Sequence, residues 1–432
     1  MERYKKYKDS GIEWIGEIPE HWEVVKIKNV TKLYGGYAFK SETFGTSGEP
    51  IIRIGDISNS INWENCKKAD CSSISDDYRI AKGDTLIALS GATTGKTCFI
   101  AENPPVAYIN QRVAKFAYTN RLLFYLINSS FFQEQIYLSA LGSAQENISN
   151  AQIENVSIPI VKDNKEQTAI ANYLDRKTAE IDALIAKKKR LLELYEEEKT
   201  AIINHAVTKG INPDAPMKDS GIPWLGEVPK SWEVAPIKYV LETPLTDGPH
   251  ETPEFFNHGI PFISADAIKN DKIDFTRKRG YISQEDHERF SKKYKPQKGD
   301  VYMIKSGATT GNLAIVDTDK EFNIWSPLAA FRPEKHKIKS EYLFYFLKSE
   351  SFFNAIVLGW NFGTQQNIGM KVLENIRIAF PTLEEQEEIV AYILQQLMIV
   401  ERKEQMTKRL IEYLAEYRTA LISEVVTGKV KV

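Results

Sequence analysis

Hydrophobic and polar positions follow two rhythms along the chain, and each rhythm occurs twice. Over the first 160 or so residues the apolar runs are short, such as Pro50-Ile-Ile-Arg-Ile54 and Thr85-Leu-Ile-Ala-Leu89, and Gly- and Asn-rich turns separate them. That pattern predicts short β-strands, with a helical segment around Leu123-Phe-Tyr125. From Glu166 to about Val207 there is no Pro or Gly, and Ile170, Leu174, Ile181, Leu184, Leu191, Tyr195 and Ile202 recur at spacings of 4, 7, 3, 7, 4 and 7. This period marks a coiled-coil seam. The segment Gly210-Ile-Asn-Pro213-Asp-Ala-Pro216 breaks the helix. The strand-like pattern then resumes, and a second stripe follows at Ile389, Ile393, Val400, Leu410, Leu414 and Leu421. A helix of about 40 residues spans roughly 60 Å and cannot bury such a stripe alone. Packing one long helix against the other is the economical solution.

The two rhythms recur because the sequence repeats itself. Residues Lys8 to Val30 and Lys218 to Val240 agree at 15 of 23 positions, at an offset of 210. Gly48-Glu-Pro50 returns as Gly259-Ile-Pro261, Lys82-Gly-Asp84 as Lys298-Gly-Asp300, and Ser90-Gly-Ala-Thr-Thr-Gly95 as Ser306-Gly-Ala-Thr-Thr-Gly311. Leu123-Phe-Tyr125 matches Leu343-Phe-Tyr345, and Glu166-Gln167 matches Glu385-Gln386. The drifting offset places insertions in the loops between blocks. The fold class expected is α/β (α+β): a tandem duplication of one globular module plus one helix, with modules at 1–160 and 211–382 and helices at 161–210 and 383–432. If the helices pair antiparallel, the duplication acquires a pseudo-twofold axis, which matches the local dyad of DNA.

Composition narrows the function. The chain has 432 residues, with 56 Lys+Arg against 58 Asp+Glu and a net charge of −2, so any nucleic-acid surface has to be local. No run approaches the roughly 18 apolar residues of a membrane span, and the charged start lacks the apolar stretch of a secretory signal. A soluble, cytoplasmic protein is expected. Cys66, Cys71 and Cys98 are odd in number and fit reduced thiols better than a disulfide framework.

Several motifs suggest chemistry and fall short of it. Ser90-Gly-Ala-Thr-Thr-Gly-Lys96-Thr97 looks like a phosphate-cradling loop, but Ser90 stands where that loop needs its first Gly, and the second copy has Asn312 in place of Lys96. A shared tight turn is the preferred reading. Asn103-Pro104-Pro105-Val106 resembles an adenine-holding methyltransferase segment without its stacking aromatic. Cys66 and Cys71 lack a second pair or a nearby His to complete a metal site, and Lys187-Lys-Lys-Arg190 lies inside the seam helix. No catalytic, cofactor-binding or metal-binding set is expected.

The motifs that do repeat in order carry a resemblance. The KDSG-x-x-W-[IL]-G-E-[IV]-P-x-x-W-E-V opening, the KGD to SGATTG block, the E-Q-x-x-I-x-x-Y-[IL] helix start and the ending Thr419-Ala-Leu-Ile-Ser-Glu-Val-Val-Thr-Gly428 resemble the specificity subunit of type I restriction–modification enzymes. The likeness covers essentially the whole chain. It implies two target-recognition domains on an antiparallel two-helix coiled coil, reading a bipartite, asymmetric target in double-stranded DNA. It also implies two adenine methyltransferase subunits as partners and, through them, restriction–translocase subunits, with S-adenosylmethionine, ATP and Mg used by those partners. A coiled-coil scaffold, or a nucleotide-dependent enzyme using the Lys96 loop, remains the competing reading.

Comparison of the copies sorts residues within that reading. Elements that differ at matched places are expected to read bases: Tyr37 and Lys40 in the first copy against Thr246, His250 and Thr252 in the second, and Asn110, Gln111 and Arg112 against Trp325 and Ser326. Shared elements are expected to be scaffold turns or sequence-blind phosphate contacts: Ser90, Thr93 and Thr94 with Lys96, and Ser306, Thr309 and Thr310. Gln145/Gln365 and Asn147/Asn367 belong with them. From Asp271 to Gly299 nine Lys/Arg oppose five Asp/Glu, and Arg277, Lys278 and Arg279 are further phosphate candidates.

Overall fold

The repeated opening folds identically in the two copies for reasons visible in its residues. In the computed structural model, which describes residues 2–58, 60–117, 119–140, 147–358 and 368–432, Tyr7–Asp9 pairs antiparallel with Glu17–Pro19, and Met217–Asp219 with Glu227–Pro229. The Oδ1 atoms of Asp9 and Asp219 accept the N–H of Gly11 and Gly221 at 2.9 Å, closing Asx turns whose glycines sit at φ 73° and 70°. Trp22 and Trp232 from the WEV block are 1% exposed. Their indole N–H groups donate to Glu166 and Glu385, the first residues of the two E-Q helix starts. One repeated motif thus anchors each module to a long helix.

Between these anchors seven strands of each copy correspond, and the second copy adds an antiparallel pair of Ile268–Lys269 with Lys272–Ile273. The first copy contains β1 (Leu33–Gly35), β2 (Glu49–Ile52), β3 (Lys67–Ala69), β4 (Thr85–Ala88), β5 (Thr97–Phe99), β6 (Tyr108–Ile109) and β7 (Val113–Phe116). The second contains β8 (Thr246–Asp247), β9 (Ile260–Ile263), β10 (Gly280–Ile282), β11 (Val301–Ile304), β12 (Leu313–Ile315), β13 (Asn323–Ile324) and β14 (Leu328–Phe331). One sheet runs β1-β7-β4-β5 and its counterpart β8-β14-β11-β12; the other runs β3-β2-β6, with counterpart β10-β9-β13. In the second kind of sheet the β2–β6 and β9–β13 pairs are parallel. Strands β4, β7, β11 and β14 are buried at every position, which explains their mostly apolar residues; the exceptions are Thr85 and Lys115, both buried.

The KGD block is structural in both copies. Asp84 and Asp300 are 1% exposed. Asp84 accepts the N–H of Ala81 at 2.8 Å and faces Lys115 at 3.9 Å. Asp300 accepts from Gln297 N–H and Arg332 at 2.8 Å and from the Tyr294 hydroxyl. A carboxylate buried without such partners would carry a large desolvation cost.

The long helices run Asn164–Lys209 and Leu383–Val426, 46 and 44 residues. Gly210 and Gly428, at φ 77° and 71°, follow their ends in the left-handed conformation. By internal contacts the chain divides into one unit of Met1–Lys189 with Lys408–Val432, and another of Arg190–Thr407. The division therefore falls within both long helices. In the first unit Ile170, Leu174 and Ile181 share a core with Leu421, Ile422 and Val425, beneath Trp22 and Phe116. In the second, Ile203, Ala206 and Val207 share a core with Ile389, Ile393 and Trp232.

Burial along the two expected stripes is greatest toward the ends of the helices and lower in their middles. Leu174, Ile181, Ile393, Val400 and Leu421 are buried, while Leu191, Tyr195, Ile202 and Leu414 are half-buried. Leu184 and Leu410, expected in the seam, are instead 39% exposed. A seven-residue step divides as 3+4 or 4+3, and the apolar letters alone allowed either. At roughly 100° per residue, i+4 stays about 40° from the starting face and i+3 about 60°. Ile185 packs on the first core accordingly, and Ile411 is half-buried. Lys199 and Glu404, both polar, occupy inward positions of the second unit at 2.8 Å from each other. Among the described residues no helix is long and apolar enough to cross a membrane.

Candidate nucleic-acid interface

In each module the segment after the first strand crosses the segment after the parallel strand, and a glycine permits the crossing. A Cβ on Gly36 would lie 2.1 Å from the carbonyl oxygen of Asn110, and one on Gly248 would lie 2.0 Å from that of Ile324. Tyr37 N–H donates to Ile109 O at 2.9 Å, and Gln111 N–H donates to Tyr37 O at 2.8 Å. The segments singled out because they diverge, 35–40 with 110–112 and 246–252 with 325–327, are therefore neighbours in space, at equivalent places of one frame.

Their chemistry differs. Tyr37 is 38% exposed, and its ring meets Phe39 and Tyr78 edge-on at 5.0 and 5.4 Å. Lys40 is exposed and its carbonyl accepts from Thr43 Oγ1. Asn110 Oδ1 accepts the N–H of Gln111 at 2.6 Å, Gln111 is exposed, and Arg112 Nη1 donates to Asn147 Oδ1 at 3.3 Å. In the second module Thr246 is half-buried and its Oγ1 donates weakly to Asp247 O at 3.5 Å, while Thr252 is exposed and Ser326 half-buried. His250 faces Asp247 at 3.1 Å. Asp247 also meets Lys293 at 2.6 Å and Lys305 at 3.3 Å. Burial pushes its carboxyl upward, but the Lys293 hydrogen bond and the charges of Lys293, Lys305 and His250 hold it below the usual carboxylate range.

The basic segment splits by side chain. Arg277 pairs with Asp274 at 3.5 Å, and Lys278 lies 4.6 Å from the centre of the Tyr281 ring. Arg279, expected among phosphate contacts, lies 4.3 Å over the ring of Trp325, an expected base reader. Sequence reasoning missed Tyr78 beneath Tyr37, and it missed Lys293 and Lys305 around Asp247. Lys305 carried a signal: it stands where the first copy has Leu89, directly after a fully buried strand.

The SGATTG block turns β4 into β5 and β11 into β12. Gly91, Gly95, Gly307 and Gly311 take φ of 71°, 83°, 107° and 96°. Thr94 and Thr310 Oγ1 donate to the carbonyls of Gly91 and Gly307 at 2.8 and 2.7 Å, and Thr93 Oγ1 to that of Ser90 at 3.4 Å. Ser90 is buried, Ser306 half-buried, and Thr309 and Lys96 exposed. A strand rather than a helix follows the turn, so the helix N-terminus that a nucleotide-binding loop uses is missing here. Gln145, Gln365 and Asn367 lie outside the described residues. All three cysteines are free and buried, and burial pushes each thiol up to about 11, away from reactivity.

Comparison with known proteins agrees with the duplicated frame. Residues 19–194 and 229–412 match the family described as type I restriction modification DNA specificity domain, and the chain belongs to that family. Its role is recognition of a DNA target by two domains in a type I restriction–modification system. The Type I restriction enzyme EcoBI specificity subunit of Escherichia coli is 25% identical, over 90% of this chain and 82% of its own length. The Type I restriction enzyme MjaVIII specificity subunit of Methanocaldococcus jannaschii is 24% identical, over 96% and 94%. Among solved structures, a chain from work on complex assembly and conformational transition of the type I R-M system superposes with a TM-score of 0.67 at 18% identity, covering 96% of this chain and 99% of that one. The HsdS subunit from Thermoanaerobacter tengcongensis gives 0.53 at 17%, covering 96% and 98%.

Proposed function

We propose that residues 1–160 and 211–382 are two target-recognition domains that each read one half of a bipartite, asymmetric DNA sequence. The helices of 161–210 and 383–432 pair antiparallel as a coiled coil and set the unread spacer. The observation that carries this is the reading cluster: two matching seven-strand frames present, at equivalent crossings held by Gly36 and Gly248, different side chains to solvent. A shared frame with divergent loops suits two different half-sites and has no use in a plain scaffold. Support for the helix pairing is that the opening turns of one long helix share a core with the closing turns of the other in each unit. In this reading the chain performs no chemistry itself. It acts in the cytoplasm and scaffolds two adenine methyltransferase subunits and, through them, restriction–translocase subunits. Those partners use S-adenosylmethionine, ATP and Mg.

Single-molecule sequencing of methylated adenines tests the reading in cells carrying the chain and its partners. A bipartite motif is expected, and replacing 246–252 and 325–327 should change one half only. A contiguous motif, or changes in both halves, would overturn it. Inserting four residues within Leu184–Lys199 should alter the spacer and spare both halves; an unchanged spacer would remove the helices from that role.

A further inference from the structure

Arg279 and Trp325 are 46 residues apart in sequence, yet one strand holds them together. Arg279 N–H donates to Phe262 O at 2.9 Å, and Trp325 N–H donates to Ile263 O at 2.8 Å, so each is tied to β9 by the main chain. The Trp325 ring packs against Phe262, which is fully buried, at 6.5 Å between centres. The guanidinium therefore rests on a braced surface and loses little rotamer freedom when it binds. Its neighbours are committed elsewhere: Arg277 to Asp274, Lys278 to Tyr281, Arg289 to Asp286 and Glu251. Among the described residues the Arg279 side chain has no hydrogen bond and no carboxylate partner. An exposed, pre-oriented guanidinium with its donors open fits a planar ligand edge that presents two acceptors.

We propose that Arg279 reads a guanine through its N7 and O6 in the major groove, with Trp325 as its positioning residue. This assignment rests on the DNA-reading role above and deepens it. A phosphate contact would require only charge, which Lys supplies equally, whereas the two-acceptor edge of guanine is matched best by the rigid, coplanar donors of the fork, which the flexible ammonium of Lys reproduces with less directional fidelity. The strand registers put Cys66, which is buried, at the place of Arg279 in the first copy, and Asn110 at that of Trp325. The pair is thus one of the differences that let the two domains read different half-sites.

The test uses the full chain assembled with its methyltransferase partners, on a duplex carrying the methylation-mapped target. Each guanine of the second half-site is replaced in turn by 7-deazaguanine, and affinity is measured against salt. Wild type should lose about 10- to 100-fold at one guanine. Arg279→Lys should bind the parent duplex more weakly by a similar factor, lose sensitivity at that position, and keep the salt slope. Trp325→Phe should retain the discrimination that Trp325→Ala loses. An Arg279→Lys complex that senses every guanine as wild type does, or a second half-site without guanine, overturns the assignment; equal loss in both Trp325 variants removes the platform. Sensitivity in the first half-site is the internal control for folding. If wild type fails to distinguish target from scrambled DNA at all, the DNA-reading role falls with it.

Discussion

The two domains share seven strands in the same order, and they solve the same local problem with different chemistry. Where β8 carries the buried Asp247, clamped by Lys293 and Lys305, the register puts Gly35 of β1. Where the first reading cluster offers Tyr37 backed by Phe39 and Tyr78, with Gln111 exposed, the second offers Trp325 under Arg279. What stays constant is what the core or a backbone crossing dictates: the Trp22 and Trp232 anchors, the KGD carboxylates, and the glycines at the crossings. Residues facing neither constraint are free to diverge, and that divergence at matched positions is the ground for the reading surface proposed above.

The KGD carboxylates tell the copies apart most strongly. Asp300 binds Arg332, whose side chain is 12% exposed, and it also holds the Tyr294 hydroxyl. Asp84 meets Lys115 only at 3.9 Å, and Lys115 has a second acceptor in Arg79 O. Asp300→Ala leaves the Arg332 guanidinium without its carboxylate, with the Lys295 carbonyl at 2.7 Å left to accept from it, and should cost about 3–5 kcal/mol. Asp84→Ala should cost about 1–3 kcal/mol. Denaturant unfolding of the full chain measures both, and equal losses would show that the closer ion pair is not what distinguishes them.

The crossing glycines should behave alike. Gly36 and Gly248 need no left-handed backbone; the obstacle to a side chain is a carbonyl about 2 Å away. Alanine at either position should cost about 1–3 kcal/mol through displacement of the adjoining segment. It should also relax methylation at one half-site only, a different half for each variant. Methylation mapping that finds both halves affected by one substitution would separate the glycines from the reading clusters.

The sequence made much of this frame legible, and the reasons it stopped are physical. A run of more than 40 residues without Pro or Gly, carrying a seven-residue apolar period, predicted each long helix to within a few residues of its observed ends. The same letters misplaced Leu184 and Leu410, because neighbouring apolar residues such as Ile185 and Ile411 satisfy the period equally well until a partner chooses the face. Comparing the copies picked out the divergent loops that meet at each glycine crossing. It could not find that Arg279 rests on Trp325, since that contact depends on two strands meeting across β9 and leaves no local pattern.

The helix ion pairs give a smaller contrast. Lys199 and Glu404 are 21% and 10% exposed at 2.8 Å, whereas Asp182 and Arg418 are 53% and 37% exposed at 2.9 Å. Glu404→Ala should cost about 1–2 kcal/mol, moderated because Lys199 keeps Glu196 at 3.0 Å. Asp182→Ala should cost under about 1 kcal/mol and lose even that in high salt. Thermal unfolding at low and high salt separates them. A salt-insensitive loss at Asp182 would contradict the assignment of that pair to the solvated surface.

A pH-dependent contrast concerns the helix starts, where one motif acquired different company. Glu385 accepts the Trp232 indole at 2.9 Å. Glu166 accepts Trp22 at 3.1 Å, the Tyr4 hydroxyl at 2.7 Å and faces His21 at 3.0 Å. Burial pushes the Glu166 carboxyl up, but hydrogen bonds from Tyr4, His21 and Trp22 more than offset it and hold it below the usual range. A depressed carboxylate stabilises the folded state fully above its unfolded pKa, about 4.3, and that contribution is lost as pH falls through the folded value. At pH 7 Glu166→Gln should therefore be less stable than wild type by about 1 kcal/mol. The gap should close as pH falls from about 4.5 toward 3, because both proteins then carry an uncharged side chain there. Unfolding temperatures of the pair across that range decide it. A gap that stays constant with pH would mean that the shape of the side chain, and not its charge, holds the first domain to its helix.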